Sequence, residues 1–137
     1  MEYGRYFLDE WQGVQQSMGF AQAVRSGDEL HISGTVSVDA DFVVAYPDSF
    51  DDQLRNIFEI LGRTLAAHGL GFADVVRERM FVTDMDALVA AISGRKTFYG
   101  DGPYPASTAV EVRRLLHPDM KIEVELLAKF TTPGEIA

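Results

Sequence analysis

Apolar residues alternate with polar ones across residues 31–38. This period of two is typical of a strand with one buried face. The preceding segment, 22–25, is followed by turn residues at 26–28, so the pattern predicts a β-hairpin. Gly34 lies inside the second strand, where the missing side chain allows another group to approach the backbone closely.

A longer stretch has the apolar spacing of an amphipathic helix. It runs from about Phe50 to His68, and its inward residues recur every three or four positions. Ser49 is followed three residues later by Asp52, an acidic variant of the capping box, and Gly69 is the expected C-terminal cap. The sequence therefore predicts one long helix with defined ends.

A second helix is predicted to begin at Asp84 or Asp86 and to run to about Tyr99. An aspartate at this position caps a helix because its carboxylate accepts hydrogen bonds from the free N–H groups of the first turn. Four residues of this helix are expected to share one face: Leu88, Ile92, Arg95 and Phe98.

Further strands are predicted over residues 75–82, 108–112 and 120–130. Strands and helices do not alternate fully along the chain, as they do in a parallel sheet. We therefore predict an α+β fold in which two helices cover one face of a mixed sheet. Residues 121–128 become apolar on both faces towards their end, so the uncovered face is expected to be buried in an oligomer.

The length and charge of the chain restrict its organisation and its partners. Its 137 residues predict one domain with a sizeable core, and residues 131–137 are expected to form a tail. Twelve basic residues against 21 acidic ones give a net charge of −9. Proteins that bind nucleic acids or anionic membranes concentrate basic residues in patches, so neither partner is expected.

Several kinds of chemistry are not expected from the residues present. The chain has no cysteine, which removes thiolate nucleophiles and cysteine-based metal sites. His31, His68 and His117 lack the spacing of a metal site or a catalytic triad, so no metal or cofactor is predicted. No run approaches the roughly 20 apolar residues of a membrane span, and residues 1–11 do not resemble a signal peptide. The sequence therefore predicts a cytoplasmic protein.

Five fragments, in order along the chain, resemble sequences of the Rid (YjgF) family. One of them, Gly19 to Val24, is similar to the family's Pro-Tyr-Ser-Gln-Ala-Val stretch. The resemblance implies a chorismate-mutase-like fold and a homotrimer that binds small organic ligands in clefts between subunits. The fragments are 19–24, 32–34, 51–68, 104–112 and 122–125, and the resemblance covers about residues 19–129.

The resemblance also implies a set of site residues. Relatives that hydrolyse reactive enamines and imines typically read Pro-Ala-Arg-Ser where this chain has Pro105 to Thr108, and the arginine holds the substrate carboxylate. Glu123 matches a glutamate that positions water, Phe20 an aromatic hydroxyl, and Ala109 a backbone amide. The predicted catalytic residue is Glu123, and the predicted substrate-binding residues are Phe20, Gly34, Ser107, Thr108, Ala109 and Arg95.

The loop chemistry departs from that of the deaminating relatives. Ser107 offers one neutral donor where an arginine would form a charged, bidentate pair with a carboxylate. Arg79, Arg95, Arg113 and Arg114 are candidates to supply the missing guanidinium, and the alternative is that they neutralise nearby acidic residues. A substrate with an α-carboxylate is therefore not expected.

Glu123 has two interpretations. In a cleft it would act as a general base or orient water, with burial raising its pKa. Alternatively, it is an outward strand carboxylate that pairs with Lys121 or an arginine. The hydroxyls of Ser107 and Thr108 are expected to satisfy backbone groups or a ligand, since no base with an orienting partner is evident to activate them.

Two functions remain open from the sequence. The first is a water-assisted hydrolase or deaminase that acts without a metal on a reactive imine, enamine or related metabolite, and is not a typical 2-iminoacid deaminase. The second is a non-catalytic ligand sensor or regulatory binding protein on the same scaffold, because the site and not the fold determines function. Ribonuclease activity, a label often attached to the family, conflicts with the acidic charge.

Overall fold

A computed structural model describes residues 4–131 of the chain. Its centre is a mixed sheet of six strands: β1 (Gly4–Tyr6), β2 (Ala23–Ser26), β3 (Glu29–Val36), β4 (Val75–Val82), β5 (Ala106–Glu111) and β6 (Ile122–Lys129). The strand order is β1-β2-β3-β6-β4-β5. All neighbours run antiparallel except β4 and β5, which are parallel. The predicted α+β class and mixed sheet are confirmed.

Three helices accompany the sheet: α1 (Gln12–Met18), α2 (Phe50–Ala66) and α3 (Met85–Tyr99). The two predicted N-caps are confirmed. Ser49 accepts a 3.1 Å hydrogen bond from the backbone of Asp52, and Asp84 accepts one of 3.2 Å from the backbone of Ala87. The prediction of two helices is wrong, because the structure has a third, α1. With seven residues, α1 is too short to show a helical period in the sequence.

The residues of β6 alternate between a sheet face that the long helices cover and a face that they leave open. Every second residue from Ile122 to Ala128 is at most 3% exposed and packs in the main core with residues of α2 and α3. Glu123, Glu125 and Leu127 lie between them and project to the opposite side, because successive strand residues alternate between faces. The two long helices therefore cover one face, as predicted, and Glu123 belongs to the open face.

Helix α3 buries the predicted face except at Ile92. Phe98 packs partly buried against the main core, and only 13% of the Arg95 side chain is exposed. Leu88, Ala91 and Tyr99 are buried, whereas Ile92 is 41% exposed. The prediction that Ile92 shares the buried face is therefore wrong. Apolar or small residues run continuously through 87–92, so their spacing does not single out one side of the helix.

A smaller apolar cluster fixes the N-terminal segment. The indole N–H of Trp11 donates a 2.7 Å hydrogen bond to the backbone carbonyl of Asp39. Since α1 begins directly after Trp11, this anchor determines where the helix lies. The buried members of the cluster are Leu8, Trp11, Val38, Ile60 and Met120.

Two further predictions concern membrane-spanning segments and the C-terminal tail. Within residues 4–131, no helix combines the length and the apolar character that crossing a membrane requires. The predicted tail, residues 131–137, lies outside the described residues apart from Thr131.

Candidate active site

A cavity of about 120 Å³ lies among α1, β3 and β6. It brings Glu123 together with two of the predicted substrate-binding residues, Phe20 and Gly34. The lining combines an apolar surface with a few polar groups, which is typical of small-molecule sites. The apolar part includes Trp11, Met18, Phe20, Phe42 and Leu116, and the polar part includes Gln15, Gln22, Thr35 and Glu123.

Gly34 makes room for the Glu123 carboxylate. Strands β3 and β6 pair irregularly between Ile32 and Thr35, which is where Gly34 lies. A Cβ atom at Gly34 would overlap Oε2 of Glu123 and lie 2.9 Å from its Cδ. The carboxylate therefore lies directly against the backbone of β3, and only a residue without a side chain leaves space for it.

The surroundings of Glu123 disfavour its charge. Burial raises the pKa of its carboxyl above the ordinary value, and the nearby charge of Glu125 raises that pKa further. Glu125 is itself paired with Arg79 at 3.1 Å. Within residues 4–131, neither Lys121 nor an arginine forms an ion pair with Glu123. Among the described residues, none therefore neutralises this carboxylate.

A second polar group of residues surrounds Glu78, which is fully buried in β4. Its Oε1 accepts hydrogen bonds from Nε of Arg95 at 2.6 Å and from Oγ of Ser107 at 2.7 Å. Its Oε2 accepts one from the hydroxyl of Tyr99 at 2.8 Å. Burial, together with the Glu78 charge, raises the pKa of Tyr99. These four residues, Glu78, Arg95, Tyr99 and Ser107, are called the Glu78 cluster below.

The Glu78 cluster and Glu123 lie on opposite faces of the sheet. Ser107 pairs with Glu78 in the β4–β5 register, and Glu78 pairs with Leu126 in the β4–β6 register. Directly paired residues project to the same face, and Leu126 belongs to the covered one. Glu123 lies three residues earlier on the same strand and projects to the other face. Within one chain, neither Ser107 nor Arg95 therefore reaches the cavity.

The remaining predicted positions also lie on β5. Thr108 pairs with Arg79 in the β4–β5 register. It is exposed and lies on the same face as Glu123. Ala109 is opposite Met80 and packs, partly buried, against the main core. Ser107, Thr108, Ala109 and Arg95 are absent from the lining of the cavity in the single chain, so their binding roles stay predictions.

The sequence analysis did not identify Glu78 or Gln15. A signal for Glu78 was available, because it occupies the same row of β4 as the buried Met80 and Val82. A charge in a buried row of a strand requires a partner. Gln15 had no comparable signal, since it lies in the helix that the pattern did not predict.

A larger groove, of about 450 Å³, runs between α2 and α3. Its charged lining comes from Asp51, Arg55 and Glu59, and Arg55 is already paired with Asp52 at 2.9 Å. These charged groups are exposed side chains on the outer helix surface. We therefore place the candidate site at Glu123 and not in the larger groove.

The fold and the cavity define a class of protein: a small α+β domain that encloses a glutamate at the irregular pairing of two sheet strands. The sequence profile of the family described as Endoribonuclease L-PSP matches residues 12–130. The chain belongs to this family, the Rid (YjgF) family, and the predicted membership is confirmed.

Individual relatives agree with this assignment. The RutC family protein YjgH of Escherichia coli K12 is 38% identical over 106 residues, which are 77% of this chain and 79% of that protein. The 2-iminobutanoate/2-iminopropanoate deaminase of Salmonella typhimurium LT2 is 30% identical over 111 residues, covering 80% and 85%. A solved structure of YjgH superposes with a TM-score of 0.84 at 28% identity, covering 96% of this chain and 99% of that one.

Proposed function

We propose that this protein hydrolyses a reactive imine, enamine or related small metabolite, and that Glu123 activates the water. The observation that carries the proposal is the environment of Glu123. Its carboxylate is partly buried in a largely apolar cavity, has no basic partner within residues 4–131, and has a raised pKa. A general base is most effective when its pKa lies near the working pH.

The proposed reaction has two stages. In the first, the Glu123 carboxylate accepts a proton from water as the water oxygen bonds to the imine carbon, and then passes it to the imine nitrogen. In the second, it accepts the hydroxyl proton of this adduct and passes it to nitrogen as the C–N bond breaks. The products are a carbonyl compound and an amine or ammonia. An enamine would first tautomerise to the imine, and neither stage requires a metal or a cofactor.

The proposed substrate is not a typical 2-imino acid. A planar carboxylate is usually held by a bidentate arginine, and the cavity lining of one chain contains no arginine among the described residues. Arg95 and Ser107 bind Glu78 instead. The relative named 2-iminobutanoate/2-iminopropanoate deaminase supports C–N hydrolysis as the reaction class. The lining of the cavity supports a different substrate within that class.

We also propose that the ligand site is completed in a homotrimer, in a cleft between subunits. The open sheet face supports this assembly. Val110 is 42% exposed there and its neighbour Phe81 is only partly buried, as is Leu127 further along the same face. An apolar surface next to the cavity favours burial against a second copy of the chain.

The second candidate is a ligand sensor or regulatory binding protein without catalysis. The Glu78 cluster favours it, because Ser107 and Arg95, two predicted substrate-binding residues, hold a buried carboxylate instead. Such a protein would bind a small molecule beside Glu123 without converting it.

Turnover measurements separate these two functions. Imines would be generated in the assay by an amine oxidase from amines without a carboxylate and by an amino-acid oxidase from amino acids, and carbonyl release would be followed. Wild-type protein should accelerate hydrolysis of the first group. The variant Glu123→Gln should lose about 100-fold or more of this rate, the usual contribution of a general base.

The matched control is Glu59→Gln, which neutralises an exposed carboxylate on the outer side of α2. It should keep the wild-type rate. Full turnover by Glu123→Gln would show that Glu123 is not the base. Binding of an imine or amine by the wild type without any turnover would support the sensor.

A further inference from the structure

The side-chain oxygen of Gln15 has no hydrogen-bond partner, although the residue is only 1% exposed. Among the residues described, it is the one buried side-chain nitrogen or oxygen atom in this situation. Gln15 also lines the Glu123 cavity. A buried acceptor without a partner costs free energy, so its persistence beside a cavity points to a group that binds there.

The identity of this atom as an acceptor follows from its neighbours. The hydroxyls of Thr35 and Thr64 have one proton each, and each donates it to a backbone carbonyl, at 2.9 and 3.0 Å. Both oxygens must then accept, and they accept from the side-chain nitrogen of Gln22 at 3.1 and 3.3 Å. This directs the oxygen of Gln22 towards Gln15, whose nitrogen donates to it at 2.8 Å. The Gln15 oxygen is the atom left over.

The charge of the cavity lining also points to a ligand that donates hydrogen bonds. Its lining contains one charged side chain, Glu123, and no Lys, Arg or His among the residues described. The indole N–H of Trp11 already donates to a backbone carbonyl. The cavity lining therefore includes two residues with an acceptor oxygen that no described basic or donor group satisfies, Glu123 and Gln15, and such a lining favours hydrogen-bond donors and disfavours anions.

We propose that Gln15 is a ligand-binding residue whose Oε1 accepts a hydrogen bond from an N–H group of a small organic cation, while Glu123 balances its charge. This inference rests on the proposed function, since it concerns the same cavity, and it names the substrate class as small protonated imines without a carboxylate, whose charge and N–H donors protonated amines share. The volume of about 120 Å³ limits the ligand portion held by one chain. A cavity of about 150 Å³ holds one benzene molecule.

Binding of three matched probes tests the inference: isobutylammonium, isobutyramide and isobutyrate, which share a carbon skeleton and differ in charge and donors. Calorimetric titration of the wild-type protein should show the tightest binding for isobutylammonium and none for isobutyrate. The variant Gln15→Met keeps the side-chain length and removes the acceptor, together with the nitrogen that donates to Gln22, and should weaken isobutylammonium binding about tenfold or more. The control Gln16→Met, at the exposed next position of α1, should bind as the wild type does.

A second measurement uses the wild-type protein, so it does not depend on whether a variant folds. In wild-type protein labelled with carbon-13, the side-chain carbonyl resonance of Gln15 should shift on saturation with isobutylammonium. An unchanged resonance would mean that solvent satisfies the oxygen, and would overturn the inference, as would equal binding of isobutyrate. Loss of hydrolysis in Glu123→Gln with no response at Gln15 would refute this inference and leave the proposed function standing. A shift of the Gln15 resonance without any turnover would support this inference and refute the proposed hydrolysis.

Discussion

Ser107 donates a 2.7 Å hydrogen bond to the buried carboxylate of Glu78, on the face of the sheet opposite Glu123. In one chain, position 107 therefore supports the covered core and not the cavity. Arg95 completes the same arrangement, with 13% of its side chain exposed. The Glu78 cluster should accordingly be measurable as a contribution to stability.

Replacing Arg95 by Met should destabilise the protein by about 3–5 kcal/mol, because it leaves a buried carboxylate without its counter-charge. Urea unfolding would measure the free energy. The double variant Glu78→Gln with Arg95→Met should recover part of the loss, since the charge that needed compensation is gone. Arg55→Met, which removes an exposed arginine of α2, should have little effect. Equal losses for Arg55 and Arg95 would contradict a special role of the cluster.

The variant Gly34→Ala should displace the Glu123 carboxylate from its place against β3. The added methyl group overlaps that carboxylate, and the end of a glutamate side chain can rotate away more easily than the strand can move. We expect a large loss of activity on any identified substrate, with a smaller change in melting temperature. Adding Glu123→Ala should remove the melting-temperature effect of Gly34→Ala. If the effect persists in that background, the clash lies elsewhere.

The variant Glu123→Gln should be more stable than the wild type at pH 7. The folded protein raises the pKa of Glu123 above its unfolded value, so the protonated carboxyl favours folding below the unfolded pKa. That contribution is lost as the pH rises through the raised folded value. The gain in melting temperature for Glu123→Gln should therefore shrink towards zero below about pH 4. A lower melting temperature at pH 7 would identify Glu123 as a structural ion-pair partner.

Light scattering should give about three times the chain mass of 15.2 kDa. If the open sheet face forms the subunit interface, Val110→Lys should produce smaller species, because it places a charge in an apolar contact. Val89→Lys is the matched control, since Val89 is 65% exposed on the helical side. A monomeric wild-type protein would remove the proposed intersubunit cleft.

The elements with local signals were predictable from the sequence. Ser49 and Asp84 cap their helices as expected, and β4 begins and ends at the predicted residues, Val75 and Val82. Capping and strand alternation depend on residues a few positions apart, so the sequence contains the information directly.

The site depended on contacts between distant positions, and these could not be predicted in the same way. Glu78 is 17 residues from Arg95 and 29 from Ser107, so nothing local indicates which groups meet. The orphan oxygen of Gln15 depends on a chain of hydrogen bonds that reaches Thr64 through Gln22. Glu123 could be predicted because the family resemblance pointed to it, and because strand alternation placed its side chain on the face away from the buried Ile122 and Val124.

One carboxylate, that of Glu78, joins the edge strand β5 to helix α3. An arginine at position 107 would bring a second guanidinium to a carboxylate that Arg95 already neutralises. Natural variation at 107 is therefore constrained by the residues at 78 and 95, and homologues should change these three positions together. A comparison of many homologous sequences should show such covariation, and chains with arginine at 107 should rarely retain both Glu78 and Arg95.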